Sequence, residues 1–272
     1  MADAVDLMYL GRSARQWLAW RADRPDQPAD LSGAELGGWD LSAWDLSGSN
    51  LQGAQLDRAK LSQANLHGIQ GLGLRAIELM AVGVNLQAST LAAAQFHGAD
   101  LRHADLRSAS GAGADFTEAD LRWANASRGL FARSTWRNAK ASGAMLHEAV
   151  LDGSKAIGAE FAQIQAYRLQ ARELQAARSH WSGAQLAEAN LVGASLLGAN
   201  LAWANLSDAD LRGADLRGVN FRGANLCRAD LRGAALADVN WDLSVTAGVQ
   251  WPDRFDPNAI PSRSLDRSVC QG

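Results

Sequence analysis

Residues 199–231 read ANLAW ANLSD ADLRG ADLRG VNFRG ANLCR ADL. A small residue, then Asp or Asn, then Leu or Phe, then two variable positions recur every five residues. Helices bury a face on a period of about 3.6 and strands on a period of about 2, so neither accounts for this spacing. A five-residue period marks a solenoid, whose repeats pack on their neighbours and not around one central core.

The same frame extends outward in both directions. With the large residue as centre i, centres fall at every fifth position from Leu31 to Trp241, which makes 43 pentapeptides. Ala usually stands at i−2, where it leaves room for the large residue in a narrow interior. Asp or Asn at i−1 can bond to nearby backbone in a turn. Gly at i+2, as at Gly33 and Gly213, permits a positive φ.

These A(D/N)LxX units resemble the pentapeptide repeat family. The resemblance implies an all-β solenoid, a right-handed quadrilateral β-helix with residues i and i−2 pointing inward and four pentapeptides per coil. It covers residues 29–243, hence nearly eleven coils and a rod of roughly 50 Å at about 4.8 Å per coil. Such a rod encloses no substrate pocket.

Residues 1–28 read as an N-terminal helical cap and 244–272 as a C-terminal cap or tail. Asp3 is the expected N-cap of one helix running to about Asp23, with Leu7, Leu10, Ala14, Trp17 and Leu18 on one face and Pro25 and Pro28 ending it. Trp39 and Trp44 occupy i−2 in the first coil, where an indole does not fit. They are expected to face the open end beneath Trp17 or Trp20. At the other end Trp251 and Phe255 are expected to fold over Trp241, and GVQWPDRFDP resembles C-terminal cap segments of the family.

Two segments, near 69–84 and 164–179, break the pattern in the same way. Ile69, Leu74, Ala76, Glu78, Leu79 and Ala81 recur 95 residues later as Ile164, Leu169, Ala171, Glu173, Leu174 and Ala176, so the frame is kept. Either the inward pair is swapped or a short helix loops out. YRLQARELQAAR, rich in helix formers, favours the helix for the second copy only. From Ala126 to Phe161 small centres at Ala126, Ala141 and Ala156 alternate with Phe131 and Trp136, which reads as packing compensation.

Chemistry is sparse. His67, His97, His103, His147 and His180 show no metal-ligand spacing, no Gly-rich loop ends in Lys-Ser or Lys-Thr, and no serine, histidine and acid are singled out. No enzyme, metal or cofactor is expected. The net charge of −3 argues against direct nucleic-acid binding, no apolar run is long enough to span a bilayer, and no segment reads as a signal peptide, so the expected location is the cytoplasm. Cys227, at i+1, is expected to be exposed and free.

The resemblance implies a protein-binding role, since the family includes members that protect DNA gyrase or topoisomerase IV from inhibitors as acidic, DNA-like rods. The acids that would supply phosphate-like charge are Asp30, Glu35, Asp40, Asp45, Asp100, Asp105, Asp115 and Asp120, with an excess in the first coils before any solenoid arginine. Arg102, Arg107, Arg122, Arg212 and Arg217 stand two residues after acids and can cancel them. Trp123 and Trp203, both at i+2 and eighty residues apart, share a corner of an uninterrupted four-sided rod. Exposed Trp is enriched at interfaces. The alternatives are a scaffolding module with another partner, and a homodimer through a rod end.

Overall fold

The computed structural model describes residues 2–24, 27–257 and 260. Every backbone bridge in it is parallel and joins residue i to i+20, from Asp30 with Asn50 to Asp230 with Gln250. A coil is therefore four pentapeptides, one per side, and the ladder is unbroken. We call the sides by their first centres, Leu31, Leu36, Leu41 and Leu46. Each side contributes one bridging residue, as when Leu31 N donates to Asn50 O (2.8 Å) and Asn50 N to Ala29 O (2.8 Å).

Between sides the chain turns over two residues. Ala34 N donates to Leu31 O (3.1 Å), and Gly33, the second turn residue, has φ +65°. A positive φ there is the mark of a type II turn and favours Gly. Ala93 holds the same place with φ +55° and an exposed side chain. Ala93→Gly should therefore raise stability by about 0.5–1 kcal/mol, less than the full left-handed penalty because Gly also loosens the unfolded chain. Gly33→Ala, where an added Cβ meets nothing within 4 Å, should cost about 1 kcal/mol through φ alone. Urea midpoints check both, and equal midpoints for all three proteins would contradict the turn assignment.

The interior is filled by centres and i−2 residues. Where a centre is aromatic, its surroundings shrink. Phe96, Phe116 and Trp136 stack along the Leu36 side, with centroids 5.3 Å and 4.7 Å apart. Around them Ala126, Ala141 and Ala156 are buried centres. Phe131 leaves no room for a side chain at Gly111 or Gly129, where a Cβ would lie 2.7 Å and 2.2 Å from its ring. The irregular middle is thus one volume-balanced packing unit. Trp136 and Trp181 also need acceptors, and Ser134 and Ser179 supply them in place of Ala at i−2, each at 2.6 Å from the indole nitrogen.

The two duplicated segments stay inside the rod, so the looped-out helix expected of 164–179 does not form. Gln165, Gln170 and Gln175 bridge to Gln185, Asn190 and Ser195, and Ile164, Leu169, Ala171, Leu174 and Ala176 are buried. The inward pair is swapped, large at i−2 and small at the centre, as it is at Leu74–Ala76 and Leu79–Ala81. Ladder bonds to both neighbouring coils outweigh a weak helix propensity. At the other boundary the bridges run past Leu243 to Gln250.

The N-terminal cap is two helices, not one: α1 (Ala4–Leu10) and α2 (Ala14–Ala22). Asp3 caps α1, accepting from Val5 N and Asp6 N, and Ser13 caps α2, accepting from Gln16 N. The break turns Leu18 outward, 48% exposed. Trp17 is fully buried, stacks on Trp20 at 5.4 Å and donates from Nε1 to Asp45 O (2.6 Å). Trp20 in turn stacks on Tyr9. Trp44 packs partly buried against the core, whereas Trp39 is exposed with its ring edge close to Gly11. Neither makes a ring contact with Trp17 or Trp20 among the described residues. The cap joins the first coil through one hydrophobic cluster that takes in Leu10, Trp17, Trp20 and the first-coil leucines, and through hydrogen bonds to its backbone. Pro25, expected to end the helix, lies outside the described residues; α2 closes at Asp23.

At the C-terminal end Trp241 stacks on Phe221 (5.2 Å) and meets Trp251 edge-on (5.5 Å), which stacks on Phe255 (4.8 Å). The remainder of the tail beyond 257, apart from the buried Ile260, lies outside the described residues. No described helix is long and apolar enough to cross a membrane.

Candidate partner-binding surface

Because i−1 side chains leave the ladder outward, each acid falls on the side its number dictates. Asp30 lies on the Leu31 side, Glu35 and Asp115 on the Leu36 side, Asp40, Asp100 and Asp120 on the Leu41 side, and Asp45 and Asp105 on the Leu46 side. The structure gathers no single acidic face. Only Asp100 and Asp120 are bridge neighbours.

Most of these charges are answered locally. Arg102, Arg107 and Arg122 fold back onto Asp100, Asp105 and Asp120 at 2.6–2.7 Å, and the same device joins Arg212, Arg217 and Arg232 to Asp210, Asp215 and Asp230. Burial pushes the Asp105 and Asp120 carboxyls up, but hydrogen bonds and charge from Arg107 and Arg122 outweigh it and hold both below the usual carboxylate range. Asp115 accepts from Thr117.

The first coil differs. Asp30 accepts from Ser32 N and Asn50 Nδ2, Glu35 from Gln55 Nε2, and Asp45 from Ser47 N and Asn65 Nδ2, all neutral donors. Hydrogen bonds from Ser32 lower the Asp30 pKa, and those from Ser42 lower that of Asp40. Among the described residues Asp40 forms an ion pair, with Lys60 at 3.7 Å. Asp30, Glu35 and Asp45 thus have neutral hydrogen-bond partners in place of a paired arginine.

A second layer of ion pairs crosses coils: Arg58–Glu78, Arg128–Glu148, Asp152–Arg172, Arg168–Glu188, Asp208–Arg228 and Arg222–Asp242. Opposite charges 20 residues apart are their sequence signal, which becomes readable once the coil length is known. All are at the surface and each contributes roughly 0–1 kcal/mol.

Trp123 and Trp203 stand on the same corner, each 57% exposed. The ladder between them is continuous, so they lie four coils apart, about 19 Å. Each indole spreads over the glycine one coil on, Gly143 or Gly223, where an added Cβ would be 2.4 Å or 2.3 Å from the ring. Between them the corner carries Ser142, Gly143, Ala162, Gln163, Ser182 and Gly183, none of them charged.

Cys227 departs from its expected exposure. It is 2% exposed and disulfide-bonded, and Ala247, one coil on at the same corner, is also buried. The chain's second cysteine, Cys270, lies outside the described residues. Among the described residues no group of His, Cys, Asp or Glu could hold a metal ion. An open groove of about 820 Å³ runs along one corner, and its Arg172 and Asp152 are already paired.

Such a surface on an unbroken four-sided ladder defines a solenoid of pentapeptides. The profile of pentapeptide repeats matches eight copies over residues 29–68, 82–110, 94–131, 176–208 and 204–240, and the chain belongs to the pentapeptide repeat family. The stretches 69–81 and 132–175, between the matched ranges, hold most of the swapped pairs and Trp136 and Phe161 of the aromatic middle. No curated protein sequence matches the chain significantly. Among solved structures it is similar to HetL, a pentapeptide repeat protein involved in heterocyst differentiation regulation from the cyanobacterium Nostoc sp. strain PCC 7120, at 24% identity, covering 87% of this chain and 96% of that one, with a TM-score of 0.40. It is also similar to full-length QnrB1, a plasmid-mediated fluoroquinolone resistance protein, at 19% identity over 66% of this chain and 82% of that one, with a TM-score of 0.32.

Proposed function

We propose that this right-handed quadrilateral rod is a non-catalytic protein-binding module whose partner is engaged along the Trp123–Trp203 corner. The observation that supports the reading is the pair of half-exposed indoles held on one straight corner by a rigid ladder. Large aromatics presented on a preorganised scaffold are what interface hot spots are made of. The most concrete partner is a type II topoisomerase, DNA gyrase or topoisomerase IV, protected from inhibitors. In that case the DNA-like charge comes from the first coil, Asp30, Glu35, Asp40 and Asp45, because Asp100, Asp105 and Asp120 are cancelled by their own arginines.

A scaffolding role with another cytoplasmic partner is the second reading, favoured by that cancellation. A gyrase supercoiling assay with and without a fluoroquinolone separates the two. Protection by the wild type, weakened at least about tenfold in Trp123→Ala/Trp203→Ala with unchanged thermal stability, is the expected result. No effect of the wild-type rod at any concentration removes the topoisomerase. Full protection by the double variant removes the tryptophan corner.

A further inference from the structure

The hydrogen bonds from the cap to the N-terminal rim reach only two of its four sides among the described residues. Asp3 N donates to Asp30 O (2.9 Å), Asp30 N donates to Asp6 Oδ2 (2.6 Å), Trp17 Nε1 donates to Asp45 O (2.6 Å) and Arg21 Nη2 donates to Ser47 O (2.9 Å). All four contacts fall on the Leu31 and Leu46 sides. On the Leu36 and Leu41 sides the backbone N–H and C=O of Glu35 and of Asp40, and the carbonyls of Gly37 and Ser42, have no hydrogen-bond partner among the described residues. Glu35, Gly37, Gly38, Trp39 and Asp40 are all exposed.

We propose that this open half-rim is a strand-addition site for an extended, cationic segment of a partner protein. The rod's next coil shows what such a segment meets. There Gln55 and Lys60 bridge to Glu35 and Asp40, with Lys60 Nζ 3.7 Å from the Asp40 carboxylate and Gln55 Nε2 bonded to Glu35. A segment laid on the opposite edge repeats that register. Its backbone bonds to Glu35 and Asp40, and its bridging side chains, five residues apart, stand beside the two carboxylates. Main-chain pairing supplies affinity and the side chains supply choice, as in other strand additions.

Positive charge is selected because, among the described residues, no cation other than Lys60 lies within ion-pair distance of Glu35 or Asp40, and no solenoid arginine precedes Arg58. The exposed Trp39 ring adds apolar contact at the rim. A second copy is disfavoured as occupant. Two N-terminal rims would oppose Glu35 and Asp40 of like charge. Head-to-tail stacking is obstructed, because the C-terminal end extends to Val245 and Gln250 on the same two sides that α1 and α2 cover at the N-terminus. The proposal does not depend on the tryptophan corner.

The test uses the full chain and the fluorescently labelled peptide acetyl-AKLSGAKL-amide, with its glutamate counterpart and a form N-methylated at both lysines. Saturable binding of the lysine peptide is expected, with slowed hydrogen exchange at the Glu35 and Asp40 amides. Glu35→Gln/Asp40→Asn should weaken it about tenfold, as should about 0.5 M salt, while Glu160→Gln on an exposed mid-rod site leaves it unchanged. The N-methylated and glutamate peptides should each bind at least about tenfold more weakly. Binding of the N-methylated peptide within about twofold, unprotected Glu35 and Asp40 amides at saturation, or no binding of the lysine peptide by about 1 mM would each overturn the proposal.

Discussion

Trp136→Ala should lower the stability of the rod by about 3–5 kcal/mol, the range for emptying a buried aromatic site. The side chain is 1% exposed, touches Phe116, Phe131 and Phe161, and donates to Ser134. Collapse around the void is hindered because the neighbouring centres, Ala126, Ala141 and Ala156, are already small. Ser134 Oγ keeps its bond to Phe131 O, so most of the loss is packing and not an orphaned hydroxyl. A solenoid couples only adjacent coils, so a defect at mid-rod should also divide the cooperative unit. Urea unfolding followed by segment-resolved hydrogen exchange should show the halves separating, with coils on either side of residue 136 melting at different midpoints. A single transition at the wild-type midpoint would refute the packing account.

Trp17→Ala should be comparably severe but local. Trp17 is fully buried, stacked on a second indole and bonded to the first coil's backbone. Its removal takes about 3–5 kcal/mol from the docking of the cap. An isolated nine-residue helix such as α2 is not stable in water, so the cap should unfold as it leaves. Exchange should then accelerate at Asp30 and Leu31 while mid-rod amides stay protected, and the uncovered edge should promote association. Trp17→Phe keeps the burial and loses one hydrogen bond, for roughly 1 kcal/mol. Unchanged exchange at Asp30 in Trp17→Ala would mean that the cap is held by something other than this indole.

The repeat was legible because a period of five admits no other regular structure, and the frame never slips between Leu31 and Trp241. The aromatic middle was legible as volume balance, since Ala126, Ala141 and Ala156 sit beside Phe131 and Trp136. The helix break was also written in the sequence. Ser13-Ala-Arg-Gln16 is a capping-box pattern, but the apolar spacing from Leu7 to Leu18 continues across Gly11 and conceals it. Helix-forming composition misled at Tyr167–Arg178, where the ladder bonds of a swapped pentapeptide are invisible to propensity.

On the surface, acid and arginine two residues apart predict their own pairing, as in Asp210-Leu-Arg212. The cross-coil pairs and the shared corner of Trp123 and Trp203 require the twenty-residue coil first. The burial of Cys227 and the uncovered half of the rim depend on what folds against the rod, which no local pattern states.

Every rung of this ladder is twenty residues from the next, and that fixed step makes the chain a ruler with two independent scales. Deleting one coil draws everything beyond it closer by about 4.8 Å without turning it. Deleting a single pentapeptide turns everything beyond it by a quarter revolution. Trp123 and Trp203 remain on one line of sight only under edits of the first kind. Changes in length thus reset reach or bearing, and each gives the coils at the junction new stacking partners.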